Sequence, residues 1–365
     1  MTHCEIAIIR GDGIGIDVTD ATLAVVEAAR ELRGGFQLEY RDILAGAGYY
    51  ADTGSDIEPG GETAAGASDA IFLGAIGLPA IRHADGTEIS PHLRLRDIYG
   101  LYAGVRPVKA YPNAPQRLAD ERARGIDMVI LRESTEGLFY SAAVHGRSEV
   151  IGNEEVRDTL RITRATTEKL HRFGFELARR RKQRGGKGLL TCVDKANVFT
   201  SMAFFRQIFD EIRPGYADIE TGYSYVDAQA LDFIRRPWDF DVLVMENMFG
   251  DILSDLAGGL VGGMGMAACA EIGDDTGLFQ PAHGSAPDIM GQDLANPLAA
   301  ILSGALMLEY LADKTANPAM EQSAQLIHQA VDRGFSENRI RPAEFGGDMG
   351  TASVTAEVIQ QIQSV

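Results

Sequence analysis

Cysteine is scarce in this sequence. Cys4, Cys192 and Cys269 are the only three in 365 residues, and no two stand at a pairing spacing. That excludes a disulfide framework and a cysteine zinc site and leaves three buried thiols as the expectation. Positive charge is also short: 34 Lys and Arg stand against 52 Asp and Glu, for a formal net charge of −18. Such a balance argues against a general nucleic-acid partner or an anionic membrane surface. If the ligand is an anion, its site must concentrate positive charge locally. Apolar runs are short too, and none approaches the roughly 18 residues of a membrane helix. The first residues lack a basic-then-apolar signal pattern, so the expectation is a cytoplasmic protein. No internal repeat or low-complexity tract is present. Glycine, by contrast, is plentiful at 41 residues, beside 45% hydrophobic residues, as befits a soluble chain with many tight turns. The length suits two or three domains, or one large one.

The stretch 241–255 reads as a buried strand, a short polar turn and a helix start. Asp251 and Asp255 are four apart and project from one helix face. Hard carboxylate oxygens there suit Mg²⁺ or Mn²⁺, which take few protein ligands and complete the shell with substrate and water. The competing reading is an acidic helix start favoured by the dipole.

Further along, Leu93, Leu95, Ile98, Leu101 and Val105 embed Arg94, Arg96 and Arg106 in an apolar context, and Arg132 ends an apolar strand over 127–131. Buried arginines need partners. Either they grip ligand carboxylates or they form internal ion pairs. Lys195 follows a strand over 188–193 and is a candidate base, with a surface lysine as the alternative. Asp227 sits in the first turn of a helix. The polar region 133–160, with Gly137, Gly146 and Gly152, suggests an extended arm or hairpin. The basic run 179–188 reads as a solvated helix end. Gly11-Asp12-Gly13-Ile14-Gly15 joins a strand to a helix, but Ile16 breaks the standard dinucleotide fingerprint. The loop His283-Gly284-Ser285-Ala286-Pro287-Asp288, with Asn296 beyond, suits phosphates at backbone N–H groups and a ribose at Asp288; a purely structural loop is the other reading.

Taken in order, Gly11–Gly15, Leu95-Arg96, Val105-Arg106-Pro107, Leu131-Arg132-Glu133, Val193-Asp194-Lys195-Ala196-Asn197, Tyr225-Val226-Asp227, Asn247 to Asp255 and His283 to Asp288 with Asn296-Pro297 resemble the metal-dependent β-decarboxylating dehydrogenases over nearly the whole chain. That family includes isopropylmalate, isocitrate, homoisocitrate, tartrate and D-malate dehydrogenases. The resemblance implies an α/β fold of two domains with mixed sheets flanked by helices and no standard Rossmann fingerprint. One domain would be 1–103 plus 262–365, holding the cofactor. The other would be 104–261, holding metal, substrate and the dimer contact, with the arm near 133–160.

It also implies roles. Arg96, Arg106 and Arg132 would clamp a malate moiety, and Asp251 and Asp255 would hold Mg²⁺ or Mn²⁺. Lys195, neutral and buried, would take the proton of the C2 hydroxyl, and Asp227 would join the metal; both would come from a second subunit of a homodimer. His283, Gly284, Ser285, Ala286, Asp288 and Asn296 would hold the cofactor. Asp288 in place of a lysine favours NAD, because a carboxylate repels a 2′-phosphate. No nucleic-acid or membrane partner is implied.

Three departures bear on the chemistry. The family's acid is a Tyr seven residues after the third clamp Arg; Phe139 stands there, with Tyr140 beside it as the candidate replacement. His92 stands where isopropylmalate enzymes carry Leu, and with Arg94 it favours a small or polar C3 substituent. Gln280 replaces a common Glu. The expectation is therefore oxidation, with or without CO₂ release, of D-malate, tartrate or a 3-substituted malate. The alternatives are 3-isopropylmalate itself, or a non-catalytic regulatory subunit.

Overall fold

The computed structural model describes residues 2–143 and 148–364. The strands are β1 Thr2–Gly11, β2 Phe36–Asp42, β3 Ala70–Ala75, β4 Ala103–Lys109, β5 Asp127–Glu133, β6 Glu149–Ile151, β7 Glu155–Arg157, β8 Leu189–Asp194, β9 Glu220–Tyr225, β10 Val242–Met245, β11 Ala268–Ile272 and β12 Gly277–Pro281. The helices are α1 Ile14–Arg33, α2 Ala47–Thr53, α3 Gly61–Ala67, α4 Pro91–Ile98, α5 Tyr140–Ala143, α6 Arg164–Gln183, α7 Thr200–Ile212, α8 Val226–Arg235, α9 Asn247–Leu260, α10 Leu298–Thr315, α11 Pro318–Ser336 and α12 Thr351–Gln363.

Ten strands form one mixed sheet in the order β2-β1-β3-β12-β11-β4-β5-β10-β8-β9. The antiparallel β4–β11 ladder joins strands drawn from the chain's two ends to strands drawn from its middle. β6 and β7 make a separate exposed hairpin. It falls inside the arm expected over 133–160, although Gly146 of that stretch lies outside the described residues.

Strand alternation sorts the chemistry onto two faces. On one face Ile6, Ile8, Phe72, Val105, Val129, Leu131, Leu190, Val244 and Phe279 join α1, α6, α7 and α10 to α12 in one continuous core. On the other face the core is split. Ile9, Ile71, Leu73 and Leu278 pack under α3 and α4. Met128, Ile130, Leu243 and Met245 pack under α8 and α9. Between these two clusters, β4, β5 and β11 present Arg106, Arg132, Cys269 and Glu271 instead of aliphatic groups. The front face therefore has a polar gap at the middle of the sheet.

Cys4, Cys192 and Cys269 are buried free thiols. The basic run is consumed by ion pairs, Arg179 with Asp218, Arg180 with Asp313 and Arg181 with Asp127 and Asp241, so it is a braced helix end.

Candidate active site

The gap is lined from both sides. Arg96 arrives on α4, in its last turn, and is 5% exposed. Its Nη2 meets Glu271 Oε1 of β11 at 2.9 Å. Arg106, on β4, donates from Nη1 to Ser254 Oγ at 2.9 Å and lies 3.9 Å from Asp251 and 3.7 Å from Asp255. Arg132, at the end of β5, donates from Nε and Nη2 to Asn247 Oδ1 at 2.9 and 2.7 Å, and pairs with Asp251. Three arginines so close repel each other. Burial, then Arg106 and Arg96, push the Arg132 guanidinium down to about 10, which still leaves it charged at neutral pH.

Two glycines permit this crowding. A Cβ on Gly250 of α9 would stand 2.6 Å from Arg132 Cβ, so Gly250 lets the arginine lie against the helix. Gly104 is the cross-strand partner of both Arg132 and Glu271. A Cβ there would meet Ser134 Oγ at 2.6 Å and Glu271 Oε2 at 2.9 Å.

The cluster holds polar atoms that the protein does not satisfy. His92 Nδ1, Arg96 Nε, Arg106 Nε and Glu271 Oε2 are buried without a hydrogen-bond partner. Such groups are costly to bury unless something pairs with them, so this is where a polar ligand gains most. Burial, and then Arg96, lower His92 to about 3, so it is a neutral imidazole at neutral pH.

Asp251 and Asp255 project from α9 toward the arginines and remain 42% and 58% exposed in their side chains. Burial and the neighbouring Asp251 raise Asp255 against the pull of Arg106. The helix start is set by Glu246, whose side chain accepts from Phe249 N. Two hard, partly open carboxylates fit a divalent cation. Among the described residues no three His, Cys, Asp or Glu come together as a metal cage, so Asp227 is not with this pair in one chain.

Asp227 instead pairs with Lys195. Lys195 follows β8 directly, its side chain is 22% exposed within one chain, and its partner is the Asp227 carboxylate. That partner's own carboxyl is lowered, first through its hydrogen bond with Lys195. Arg94 departs from the expectation drawn from the sequence. Two residues from Arg96 on a helix, it faces the other way and pairs with Asp56 and Glu62. At the acid position, Phe139 lies over Arg132, 4.7 Å from ring centroid to guanidinium carbon. Tyr140 lies over Arg161 at 3.9 Å.

In the cofactor region, Ser285 O accepts from Ile14 N at 2.7 Å, and its hydroxyl donates to Gly77 O. This docks the loop onto the Gly11–Gly15 turn. Asp12 of that turn is a structural hub, accepting from Ala47 N, Gly48 N and Gly77 N at 2.8 Å each. His283 Nδ1 faces Gly284 O at 2.9 Å, while its Nε2 is buried without a partner. Gly284 and Asp288 are exposed, and Ala286 takes a left-handed φ of 35°. An open carboxylate and an unpartnered imidazole nitrogen on one loop suit a dinucleotide. Asn296 is tied inward, donating to Glu344 Oε2 at 2.9 Å and accepting from Leu298 N at 3.2 Å. Gln280 is buried on β12.

Sequence reasoning missed Glu271. The signal was present: it is the one charged residue in the strand Ala-Cys-Ala-Glu-Ile.

Residues 5–362 match the isocitrate/isopropylmalate dehydrogenase family. A 3-isopropylmalate dehydrogenase of Aquifex aeolicus is 36% identical over 100% of this chain and 98% of its own length. A 3-isopropylmalate/3-methylmalate dehydrogenase of Methanocaldococcus jannaschii is 38% identical over 98% and 99%. Among solved structures, an isocitrate dehydrogenase from Methylococcus capsulatus superposes with a TM-score of 0.85 at 32% identity, covering both chains fully. A β-decarboxylating dehydrogenase from Thermococcus kodakarensis superposes at 0.76 with 35% identity, covering 100% of this chain and 97% of its own. No helix among the described residues is long and apolar enough to cross a membrane. The chain belongs to the isocitrate/isopropylmalate dehydrogenase family and is an NAD-dependent hydroxy-acid dehydrogenase that uses a divalent metal such as Mg²⁺ or Mn²⁺.

Proposed function

We propose that this enzyme oxidises and decarboxylates a 3-substituted (2R)-malate, with 3-isopropylmalate as the first substrate to test. The observation that carries the reading is the convergence of Arg96, Arg106 and Arg132 on the front gap beside Asp251 and Asp255. Guanidinium groups bind carboxylates in a planar, two-pronged fit, and an acidic protein has little reason to bury three together otherwise. The names of the relatives support isopropylmalate over the smaller substrates. D-malate or tartrate is the second reading, favoured by His92 and Glu271, which give the gap a polar wall.

In this reading the arginines fix the two carboxylates and set C2 toward the cofactor, held by His283, Gly284, Ser285, Ala286, Asp288 and Asn296. A divalent cation held by Asp251 and Asp255, with Asp227 of a second copy, would polarise the C2 oxygen. Lys195 Nζ of that second copy accepts the C2 hydroxyl proton as hydride leaves. Phe139 has no proton to return to C3, so that proton comes from Tyr140 or from water.

The enzyme works as a homodimer with shared sites. Support comes from the separation of Asp227 from Asp251 and Asp255, and from the exposed Val198, Phe199, Leu231, Ile234 and Ile252 around Lys195, α8 and α9. Such an apolar patch fits a subunit contact. The two units, 1–103 with 262–365 and 104–261, meet along β4–β11, so the arginine site straddles them. Buried free thiols suit the reducing cytoplasm.

Turnover of 3-isopropylmalate, D-malate and tartrate with Mn²⁺ and NAD, counting NADH and CO₂ together, tests the substrate. Similar NADH and CO₂ counts support decarboxylation, whereas NADH without CO₂ limits the reaction to oxidation. Loss of all activity in Lys195→Ala and in Asp251→Ala, restored on mixing and reassociation, supports the shared site, and failure to complement contradicts it.

A further inference from the structure

Glu271 has no part in the reading above, yet it sits at its centre. Its side chain is fully buried, one oxygen holds Arg96, and the other makes no well-formed hydrogen bond, although the Ser134 hydroxyl stands close to the carboxylate. Arg106 and Arg132 act on it strongly enough, together with Arg96, to outweigh burial and hold it below the usual carboxylate range. The other groups that face the cluster do not alter the charge count among these four residues. His92 is neutral. Cys269, whose Sγ is 3.5 Å from Glu271 Oε1, is a thiol pushed up to about 12 by burial first and then by Glu271. Asp251 and Asp255 pair with Arg132 and Arg106, and their two negative charges would be offset by the divalent cation held between them.

We propose that Glu271 is a specificity-determining residue: set against three arginines, it leaves the cluster with a net charge of +2, which matches a 2-hydroxy dicarboxylate and disfavours a tricarboxylate built on the same malate core. This rests on the arginine cluster being the substrate site. The physical reason is that a third carboxylate must find its own cation among buried guanidinium groups, and one of them, Arg96, already faces Glu271. At an effective dielectric of about 20, one unit charge several Å away changes binding by tenfold or more.

The test compares kcat/KM for the best dicarboxylate of the panel with that for isocitrate, a 2-hydroxy tricarboxylate, using Mn²⁺ and NAD. Thermal shift by each ligand serves as a binding readout independent of turnover. Wild type is expected to prefer the dicarboxylate by at least about 100-fold. Glu271→Gln and the smaller Glu271→Ser should move that ratio toward the tricarboxylate by at least about tenfold, chiefly through KM, while Glu271→Asp keeps it. A wild-type ratio near one overturns the proposal without any variant having to fold, and so does an unchanged ratio in folded Glu271→Gln. Arg96→Gln separates the two levels. Normal dicarboxylate kinetics in that variant would defeat the substrate-site reading itself. Its collapse, with the ratio of Glu271→Gln unmoved, would defeat only the role of Glu271.

Discussion

The two faces of β4, β5 and β11 are made by alternate residues of the same strands, and they differ in nearly every respect. On the back, Val105, Pro107, Val129, Ala268, Ala270 and Ile272 floor a cavity of about 280 Å³ between α6 and α10, whose other walls include charged groups such as Arg181 and Glu309. On the front, Arg106, Arg132 and Glu271 take the intervening positions. Apolar burial holds the back together and tolerates a cavity. The front has no apolar cover at this point, because its core stops on either side. Its buried charges are paired with one another and are strained by mutual repulsion. Stability should therefore reside on the back and chemistry on the front.

Substitutions on the two faces can break that division. Asp251→Ala should lower kcat/KM by about 10³-fold or more, since it removes one of the two carboxylates that would hold the cation, and polarisation by a metal is worth several kcal/mol. Its melting temperature should move little, and a collapse of the fold with it would erase the distinction. On the back, Phe279 is fully buried and packs on Tyr310 with centroids 5.4 Å apart. Phe279→Ala should cost about 3–5 kcal/mol in urea unfolding and leave KM near its original value. A smaller front-face effect is expected from Ser254→Ala, which removes one acceptor from Arg106. KM should rise about tenfold, as for a lost hydrogen bond to a charged group.

Acid sharpens the comparison further. Burial and Arg96 lower His92 to about 3, and burial lowers His171, which sits against Phe205 and Phe209, to about 4. Unfolding frees both to bind protons near 6.5. The unfolded state thus holds more protons throughout that interval, and stability is lost as pH falls from about 6.5 toward these lower values. His171→Asn should flatten the dependence without touching KM, whereas His92→Asn should flatten it and change KM. Equal effects on KM would place His92 outside the site.

Much of this was legible because local pattern and fold agree. The strand at Val242–Met245 and the shared face of Asp251 and Asp255 follow from run length and helical period. Arg106 and Arg132 could be suspected because they interrupt apolar strands. The sequence says least where direction decides. Arg94 and Arg96 share an apolar stretch, but a spacing of two on a helix sends them to opposite sides. Phe139 and Tyr140 are neighbours, yet one lies on Arg132 and the other on Arg161. Glu271 went unseen because only the register of β11 on β4 brings it over Gly104 to the arginines. A linear reading holds no such register.

The most direct measurement is steady-state turnover of the best dicarboxylate by two arginine variants from the same stretch, Arg106→Gln and Arg94→Gln. If the front gap is where substrate is held, Arg106→Gln loses about 10³-fold in kcat/KM and Arg94→Gln stays within tenfold of wild type. Equal losses, or a larger loss at Arg94, would contradict it.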